Sequence, residues 1–129
     1  MPRQQQADQA ALDRFKQLML QGVDCLKYGR RGSPHVRTFN IRQQNNRTVL
    51  CWNHGSKSID VSTVVAVLSG RCTPILLQKA DPAADHLCFA VITPEYSLSL
   101  QTESAEQRKF WLDGLRLLLP QAAHSSSGR

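Results

Sequence analysis

Long apolar runs and the signature motifs of common enzyme classes are missing from this sequence of 129 residues. No stretch approaches the roughly 18 apolar residues of a membrane span, and the polar segment from Met1 to Gln9 lacks the apolar core of a signal peptide. The glycine-rich phosphate loop of nucleotide-binding proteins and the Gly-x-Ser-x-Gly elbow of hydrolases are also absent. We therefore expect a soluble, cytoplasmic protein without catalytic residues, whose membrane contacts are peripheral.

The cysteines and histidines do not form metal-binding patterns. No two cysteines make a Cys-x-x-Cys pair, and the four histidines are scattered along the chain. Each cysteine lies in or beside an apolar or strand-like run, which is typical of a buried free thiol in a reducing compartment. The sequence therefore predicts neither a metal site nor a bound cofactor. The four cysteines are Cys25, Cys51, Cys72 and Cys88.

Acidic residues are missing from the window between Lys27 and Lys57, although the whole chain carries ten of them. The net charge of +6 arises in that window, because the nine basic and ten acidic residues outside it nearly cancel. A window of one sign attracts polyanions such as a phosphoinositide membrane, a nucleic acid or an acidic protein face. The alternative is a solvated, arginine-rich loop without a ligand. The seven basic residues of the window are Lys27, Arg30, Arg31, Arg37, Arg42, Arg47 and Lys57.

Periodic patterns predict an N-terminal helix followed by a series of short strands. Ala11, Phe15 and Met19 share one face of a helix over residues 5–20, which Gly22 ends. Apolar and β-branched runs separated by turn residues then predict seven strands. The strands are expected at residues 23–28, 36–42, 48–53, 58–69, 74–78, 87–92 and 97–101.

The pattern changes to helical spacing near the C-terminus. Ser104 and Gln107 form a capping-box pattern, and an apolar stripe that includes Trp111 follows before Pro120 blocks extension. Such a helix would cover the open end of a small β-sandwich or barrel, where exposed strand edges are a liability. The fold class is therefore mostly β with a C-terminal α-helix. We divide the chain into an N-terminal helical extension (1–21), this β-rich domain (22–119) and a disordered tail (120–129).

The stretches Gly22–Pro34 and Ser69–Ile75, with Trp111 and its neighbours Gly114 and Leu115, together resemble the pleckstrin homology (PH) family. The first two stretches are most similar to the PH domain of plant-type proteins with regulator-of-chromosome-condensation repeats and a FYVE finger, and to that of phospholipase C delta. The resemblance covers about residues 12–119. It implies a seven-stranded barrel capped by one helix, which binds phosphoinositides and recruits signalling proteins to membranes.

The resemblance also implies a binding site at the first two strands. In PH domains that bind phosphoinositides, a lysine lies late in strand one, and a basic residue and an arginine lie two apart in strand two. Lys27 matches the lysine and Arg37 the arginine, whereas His35 stands where the family prefers Lys or Arg. Protonation of His35 as the pH falls from about 7.5 to 6 would add a charge and strengthen anion binding.

The alternation of side chains along a strand predicts the same group of cations independently of the family resemblance. Residues two apart in a strand share a face, so His35 and Arg37 continue the inward face of Phe39. Lys27 does the same at the end of the first strand. We expect these cations to converge at the mouth of the barrel, although both strands could instead end in water. The candidate headgroup ligands, including loop residues, are Lys27, Arg30, Arg31, His35, Arg37 and Lys57.

The basic loop allows further hypotheses. The run from Arg30 to Ser33 resembles the target of a basophilic kinase, so Ser33 is a candidate phosphorylation site whose phosphate would oppose anion binding. A protein-interaction (adaptor) role with little lipid affinity is the alternative function, with the N-terminal helix extending the binding surface. Nucleic acid is the least favoured ligand, because the window has few aromatic residues and no recognisable reader motif.

Overall fold

Seven antiparallel strands form one continuous sheet in the computed structural model, which describes residues 3–119. Across the sheet the strands lie in the order β4-β3-β2-β1-β7-β6-β5, so β1 is central and pairs with both β2 and β7. The predicted mostly β fold is confirmed, whereas the predicted tail lies outside the described residues. The strands are β1 (Val23–Tyr28), β2 (His35–Gln44), β3 (Arg47–Trp52), β4 (Lys57–Asp60), β5 (Ala66–Ser69), β6 (Cys88–Ile92) and β7 (Ser97–Gln101).

Three α-helices accompany the sheet. They are α1 (Arg3–Gln21), α2 (Pro74–Lys79) and α3 (Ala105–Leu118), with 3₁₀ turns at Val61–Thr63 and Pro82–Leu87. Helix α3 begins as the capping pattern predicts, since the Ser104 hydroxyl accepts the Gln107 N–H at 3.2 Å. Within the described part of the chain, no helix has both the length and the apolar character needed to cross a bilayer.

The indole of Trp111 on α3 joins the two halves of the sheet. Its ring centre lies 5.6 Å from that of Phe39 on β2 and 5.6 Å from that of Phe89 on β6. Because β1 and β7 separate these two strands in the sheet, the sheet must curl for one side chain to contact both. All three rings are fully buried. Helix α3 thus closes one end of the rolled sheet.

Helix α1 packs against α3 and β2. Phe15 is buried directly over Gly114, where an added Cβ would overlap the Phe15 ring, so the two helices approach closely only because this position is glycine. The end of α1 is held by Asn40, whose amide donates to the carbonyl oxygens of Met19 and Leu20 at 3.3 Å each. Residues of α1 therefore contribute directly to the main core.

The prediction of a strand at residues 74–78 is wrong, because this segment forms α2. The Thr73 hydroxyl caps the helix by accepting the Leu76 N–H at 3.2 Å. Pro74 occupies the first turn, where its missing N–H has no partner to lose. The leucines, glutamine and lysine that follow are good helix formers. A run of only three apolar residues after Pro74 does not reveal its period, which is why the pattern was ambiguous.

The prediction that residues 58–69 hold the fourth strand is incomplete, since this segment contains β4, a 3₁₀ turn and a further strand, β5. The Asp60 carboxylate accepts the N–H and the hydroxyl of Ser62 at 2.9 and 2.8 Å, and this local bonding ends β4. Strand β5 then pairs with β6 at the opposite edge of the sheet. The predicted number of seven strands is therefore correct only because two errors offset each other.

Helix α2 covers a second, smaller core on the outer face of β1. Tyr28, Leu76, Ala80 and Cys88 are buried together there. The Tyr28 hydroxyl donates to the side-chain oxygen of Gln101 on β7 at 2.7 Å, which satisfies its polar end. All four cysteines are free thiols and three of them are buried, as the sequence predicts. This packing holds α2 beside the loop that connects β1 to β2.

Candidate functional site

A first cleft of about 600 Å³ lies at the end of β1 that points away from α3. Val23, at the start of β1, borders Trp111 of α3, whereas Lys27, near the end of β1, lines the cleft. Trp52 and Lys57 also line it, and they pair with each other across β3 and β4. The β3–β4 hairpin therefore brings an aromatic ring and a cation to the same cleft as Lys27.

A second cleft of about 660 Å³ shares Lys27 with the first. The β1–β2 loop lines it through Arg30, and the start of α2 lines it through Ile75. Residues of the β6–β7 turn (93–96) line both clefts, as Lys27 does. Lys27 and this turn therefore form the boundary between the two clefts.

The β1–β2 pairing places the predicted strand cations on one face of the sheet. Lys27 pairs with His35, and Cys25 pairs with Arg37. Cys25 is buried in the main core, so alternation puts Lys27 and Arg37 on the same inward side. Lys27 and Arg37 occupy diagonal positions of the ladder, which are typically about 7–8 Å apart. The two residues are thus close neighbours on one face.

An aromatic pair determines where the Lys27 side chain lies. Its ammonium is 6.0 Å from the centre of the Trp52 ring, near the outer limit of a cation–π contact. Trp52 stacks on Tyr96, with ring centres 6.1 Å apart and 28° between the ring planes. Alternation alone did not decide the direction of Trp52, and the structure buries it in the main core. Tyr96 was not identified as a site residue, because nothing in the sequence connects its turn to β1.

The remaining predicted cations do not converge on one point. Arg30 lines the second cleft, whereas Arg31, His35 and Arg37 line neither cleft. Arg31 and His35 are exposed on the rim. Arg37 is half-buried, two residue pairs deeper along the sheet than Lys27, and its guanidinium donates to the carbonyl oxygen of the preceding residue at 3.3 Å. The six predicted ligands are therefore divided between two clefts and the surrounding rim.

Two carboxylates that the charge window does not contain also line the first cleft. Asp60 and Glu95 share it with Lys27 and Lys57, and Glu95 lines the second cleft as well. The hydroxyl and N–H of Ser62 donate to Asp60 and lower the pKa of its carboxyl, which keeps it ionised. The first cleft therefore has two basic and two acidic side chains. Sequence reasoning missed this balance because Asp60 lies just beyond the end of the basic window, and only folding brings the distant Glu95 to it.

None of the four cysteines lines either cleft, and none of them is an activated nucleophile. Burial raises the pKa of all four cysteine thiols, and that of Cys25 reaches about 12, so the thiols stay protonated and weakly nucleophilic. Among residues 3–119, no group of three or more His, Cys, Asp and Glu side chains is placed to hold a metal ion. The arrangement suits recognition of an anion.

The family model described as the pleckstrin homology domain matches residues 13–120 of the chain. A solved structure of the C-terminal PH domain of pleckstrin, in complex with D-myo-Ins(1,2,3,4,5)P5, is 20% identical with a TM-score of 0.56 and covers 77% of this chain and 96% of its own. Inner Membrane Complex Sub-compartment Protein 1 of Toxoplasma gondii is 18% identical with a TM-score of 0.62, over 84% of this chain and 90% of its own.

Sub-compartment Protein 3 of the same organism is 12% identical with a TM-score of 0.59, over 91% of this chain and 86% of its own. At these identities the comparison shows that the three structures share the fold of this chain. What those proteins bind and where they are located are properties of those proteins. The strand order and the helix that closes the sheet are thus features of a known architecture.

Proposed function

Because the chain belongs to the pleckstrin homology domain family, we propose that it binds phosphorylated inositol headgroups and is recruited from the cytoplasm to membrane surfaces as a non-enzymatic signalling module. The proposal rests mainly on the position of Lys27, whose side chain lies where two clefts meet. The PH domain of pleckstrin, one of the structural neighbours, is complexed with an inositol pentakisphosphate. That complex supports an inositol phosphate as the class of ligand.

The two clefts offer phosphate groups different kinds of cation. In the first cleft, Lys27 and Lys57 present compact ammonium groups. In the second, Arg30 adds a planar guanidinium, which can donate to two phosphate oxygens at once. The exposed Arg31 and His35 lie on the rim. An arginine in this position contributes about 1 kcal/mol to binding of an anionic surface. A headgroup with several phosphates can therefore engage Lys27 together with cations of both clefts.

We also propose the narrower relationship to the PH domains of plant-type proteins with regulator-of-chromosome-condensation repeats and a FYVE finger, and of phospholipase C delta. It rests on Gly22–Pro34 and Ser69–Ile75. In the fold, the first stretch contains β1 and its loop, and the second leads into α2, which covers the outer face of β1. Both stretches therefore belong to one structural unit around the second cleft.

A protein-interaction role with little lipid affinity is the second candidate function. The charge balance of the first cleft favours it, because Asp60 and Glu95 repel a phosphate that approaches Lys27 and Lys57. A peptide with both basic and acidic side chains would match such a cleft better than a polyphosphate does. The two candidates differ in one measurable property, which is the dependence of binding on headgroup phosphates.

Vesicle binding by a charge-deleted variant tests the proposal. We expect Lys27→Ala with Arg37→Ala to weaken sedimentation with phosphatidylinositol bisphosphate vesicles by about 10-fold or more, because each lost charge near the surface contributes about 1 kcal/mol. The matched control, Lys109→Ala with Arg116→Ala, removes the same charge from exposed positions of α3. The control should change binding by less than about threefold, since distant exposed charges are screened by salt.

Equal losses in the two double variants would mean that only net charge matters, and the proposed site would be abandoned. Binding that does not differ between phosphatidylcholine vesicles with and without the bisphosphate lipid would instead favour the protein-interaction role. Circular dichroism melting of each variant distinguishes a loss of binding from a loss of folding.

A further inference from the structure

The ammonium group of Lys79 donates all its hydrogen bonds to the loop between β1 and β2. It donates to the carbonyl oxygens of Gly29, Arg30 and Gly32 at 2.8, 2.9 and 3.2 Å. An ammonium has three N–H groups, so each of them has an acceptor in the loop. Lys79 is the last residue of α2, about 50 positions along the chain from its acceptors. One side chain from the outer layer thus fixes the shape of the basic loop.

These contacts also determine where the amide groups of the loop point. The described residues contain no cis peptide bond, and in a trans peptide the N–H is directed opposite to the C=O. The three carbonyl groups that face Lys79 therefore turn the N–H groups of Arg30, Arg31 and Ser33 away from it. Within residues 3–119, none of these three N–H groups has a backbone acceptor. They are free to bind a ligand.

We infer that Lys79 is a positioning residue that keeps the β1–β2 loop in a shape able to receive a phosphate monoester. The phosphate would be bound by the free N–H groups of Arg30, Arg31 and Ser33, together with the arginine side chains, on the side of the loop that is turned away from the Lys79 ammonium. Oriented backbone N–H groups are effective anion ligands, because they are fixed before the anion arrives. Lys79 contributes without touching the ligand. The inference rests on the proposed function, which supplies inositol phosphate as the anion.

The energetic consequence is a smaller entropy loss on binding. A free loop of this composition, which contains Gly29 and Gly32, would have to be ordered by the ligand. A loop already held by Lys79 avoids most of that cost, and its affinity is correspondingly higher. The charge of Lys79 itself is directed toward the loop carbonyl groups. The effect on binding of removing one positive charge can therefore be separated from the effect of loosening the loop.

The test compares Lys79→Met, which keeps the length of the side chain but removes its N–H groups, with Lys109→Met on α3. Each variant removes the positive charge of one lysine. Lys109 is exposed and pairs with Asp113, so its removal should leave the loop unchanged. In Lys79→Met we expect the NMR order parameters of residues 30–33 to fall from about 0.85 to below about 0.6, with little change elsewhere. Lys79→Arg, which retains N–H donors, should restore part of the order.

Binding is measured in two arms, with phosphatidylinositol bisphosphate vesicles and with soluble inositol trisphosphate. We expect Lys79→Met to weaken both by about 10-fold, which corresponds to about 1.4 kcal/mol, and Lys109→Met to weaken neither by more than about twofold. Weakening in both arms supports a receptor for the phosphate groups themselves. Weakening confined to vesicles, or equal in the two methionine variants, overturns that assignment.

The order parameters decide the role of Lys79 separately from the lipid question. If the wild-type protein binds neither probe, the proposed function fails, and a loop loosened in Lys79→Met still supports the structural role of the lysine. Unchanged order parameters in Lys79→Met would overturn the inference even if the wild-type protein binds vesicles tightly.

Discussion

The two ends of the rolled sheet use aromatic side chains in different ways. At the end covered by α3, Phe39 and Trp111 are fully buried with their ring centres 5.6 Å apart. At the other end, Trp52 lies beneath the Lys27 ammonium, and Tyr96 remains 41% exposed at the boundary of the two clefts. One end is sealed by packing, and the other is open to solvent through the two clefts.

The two ends are nevertheless connected by a row of aromatic contacts. Trp111 contacts Phe39, Phe39 contacts Trp52 at 5.6 Å, and Trp52 stacks on Tyr96 at 6.1 Å, all measured between ring centres. Aromatic pairs in such geometry add about 0.5–1.5 kcal/mol beyond their buried area. The wall of the open clefts is therefore a continuation of the sealed core. Because of this continuity, core packing holds the site in place where Trp52 supports Lys27. The β1–β2 loop needs a separate support.

The largest expected effect comes from breaking the sealed end. Trp111→Ala should lower the free energy of unfolding by about 3–5 kcal/mol, because it leaves a cavity between Phe39 and Phe89. Urea denaturation measures this loss. Tyr96→Ala is the control at the open end, and it should cost less than about 1 kcal/mol because Tyr96 is already 41% exposed. Comparable losses in the two variants would contradict the distinction between a sealed and an open end.

The sequence predicted the bounds of the strands that turn residues flank. The bounds of β1 and β7 agree with the structure at residues 23–28 and 97–101, because Gly22, Gly29 and Pro94 punctuate the flanking turns. The segments at 58–69 and 74–78 were misassigned because their β-branched and apolar residues suit both strands and short helical turns. Side-chain hydrogen bonds between Asp60 and Ser62 and between Thr73 and Leu76 decided these cases. These are local capping bonds, whose residue types the sequence shows but which the strand interpretation did not use.

The site was predictable only as far as it follows from strand geometry. Alternation placed Lys27 and Arg37 on one face, and the register agrees. Contacts between distant segments were not predictable, because a single sequence carries no signal for which loops meet. Glu95 reaches the first cleft in this way, and Lys79 reaches the β1–β2 loop. The charge window described the local sequence correctly but did not describe the electrostatics of the folded site.

A negative charge in the β1–β2 loop should weaken vesicle binding at the open end and leave the stability of the protein unchanged. Ser33→Glu, which imitates the proposed phosphorylation, should lower affinity for phosphatidylinositol bisphosphate vesicles by about fivefold, because one charge near the surface is worth about 1 kcal/mol. Ser33→Gln has a similar size without the charge and serves as the control. Vesicle sedimentation measures both, and the melting temperatures should match. Normal vesicle binding by Ser33→Glu would remove the proposed regulation.

The smallest expected effect is a gain of binding on removal of an acid. Glu95 lines both clefts beside Lys27, so it repels a bound phosphate from either side. Glu95→Gln should therefore raise affinity for the same vesicles by about two- to fivefold, since charges about 4 Å apart in water interact by about 1 kcal/mol. An unchanged melting temperature of Glu95→Gln would show that the gain does not come from partial unfolding.

The matched control for this gain is Glu103→Gln, which makes the same change of charge at an exposed position preceding α3. If the gain is local, Glu95→Gln exceeds Glu103→Gln at low salt. The difference should shrink as the ionic strength approaches 1 M, where the Debye length is about 3 Å. Equal gains in the two variants would mean that the vesicles respond to net charge alone. In that case the two clefts around Lys27 would no longer be distinguished from the rest of the surface, and the contrast between the two ends would be one of packing only.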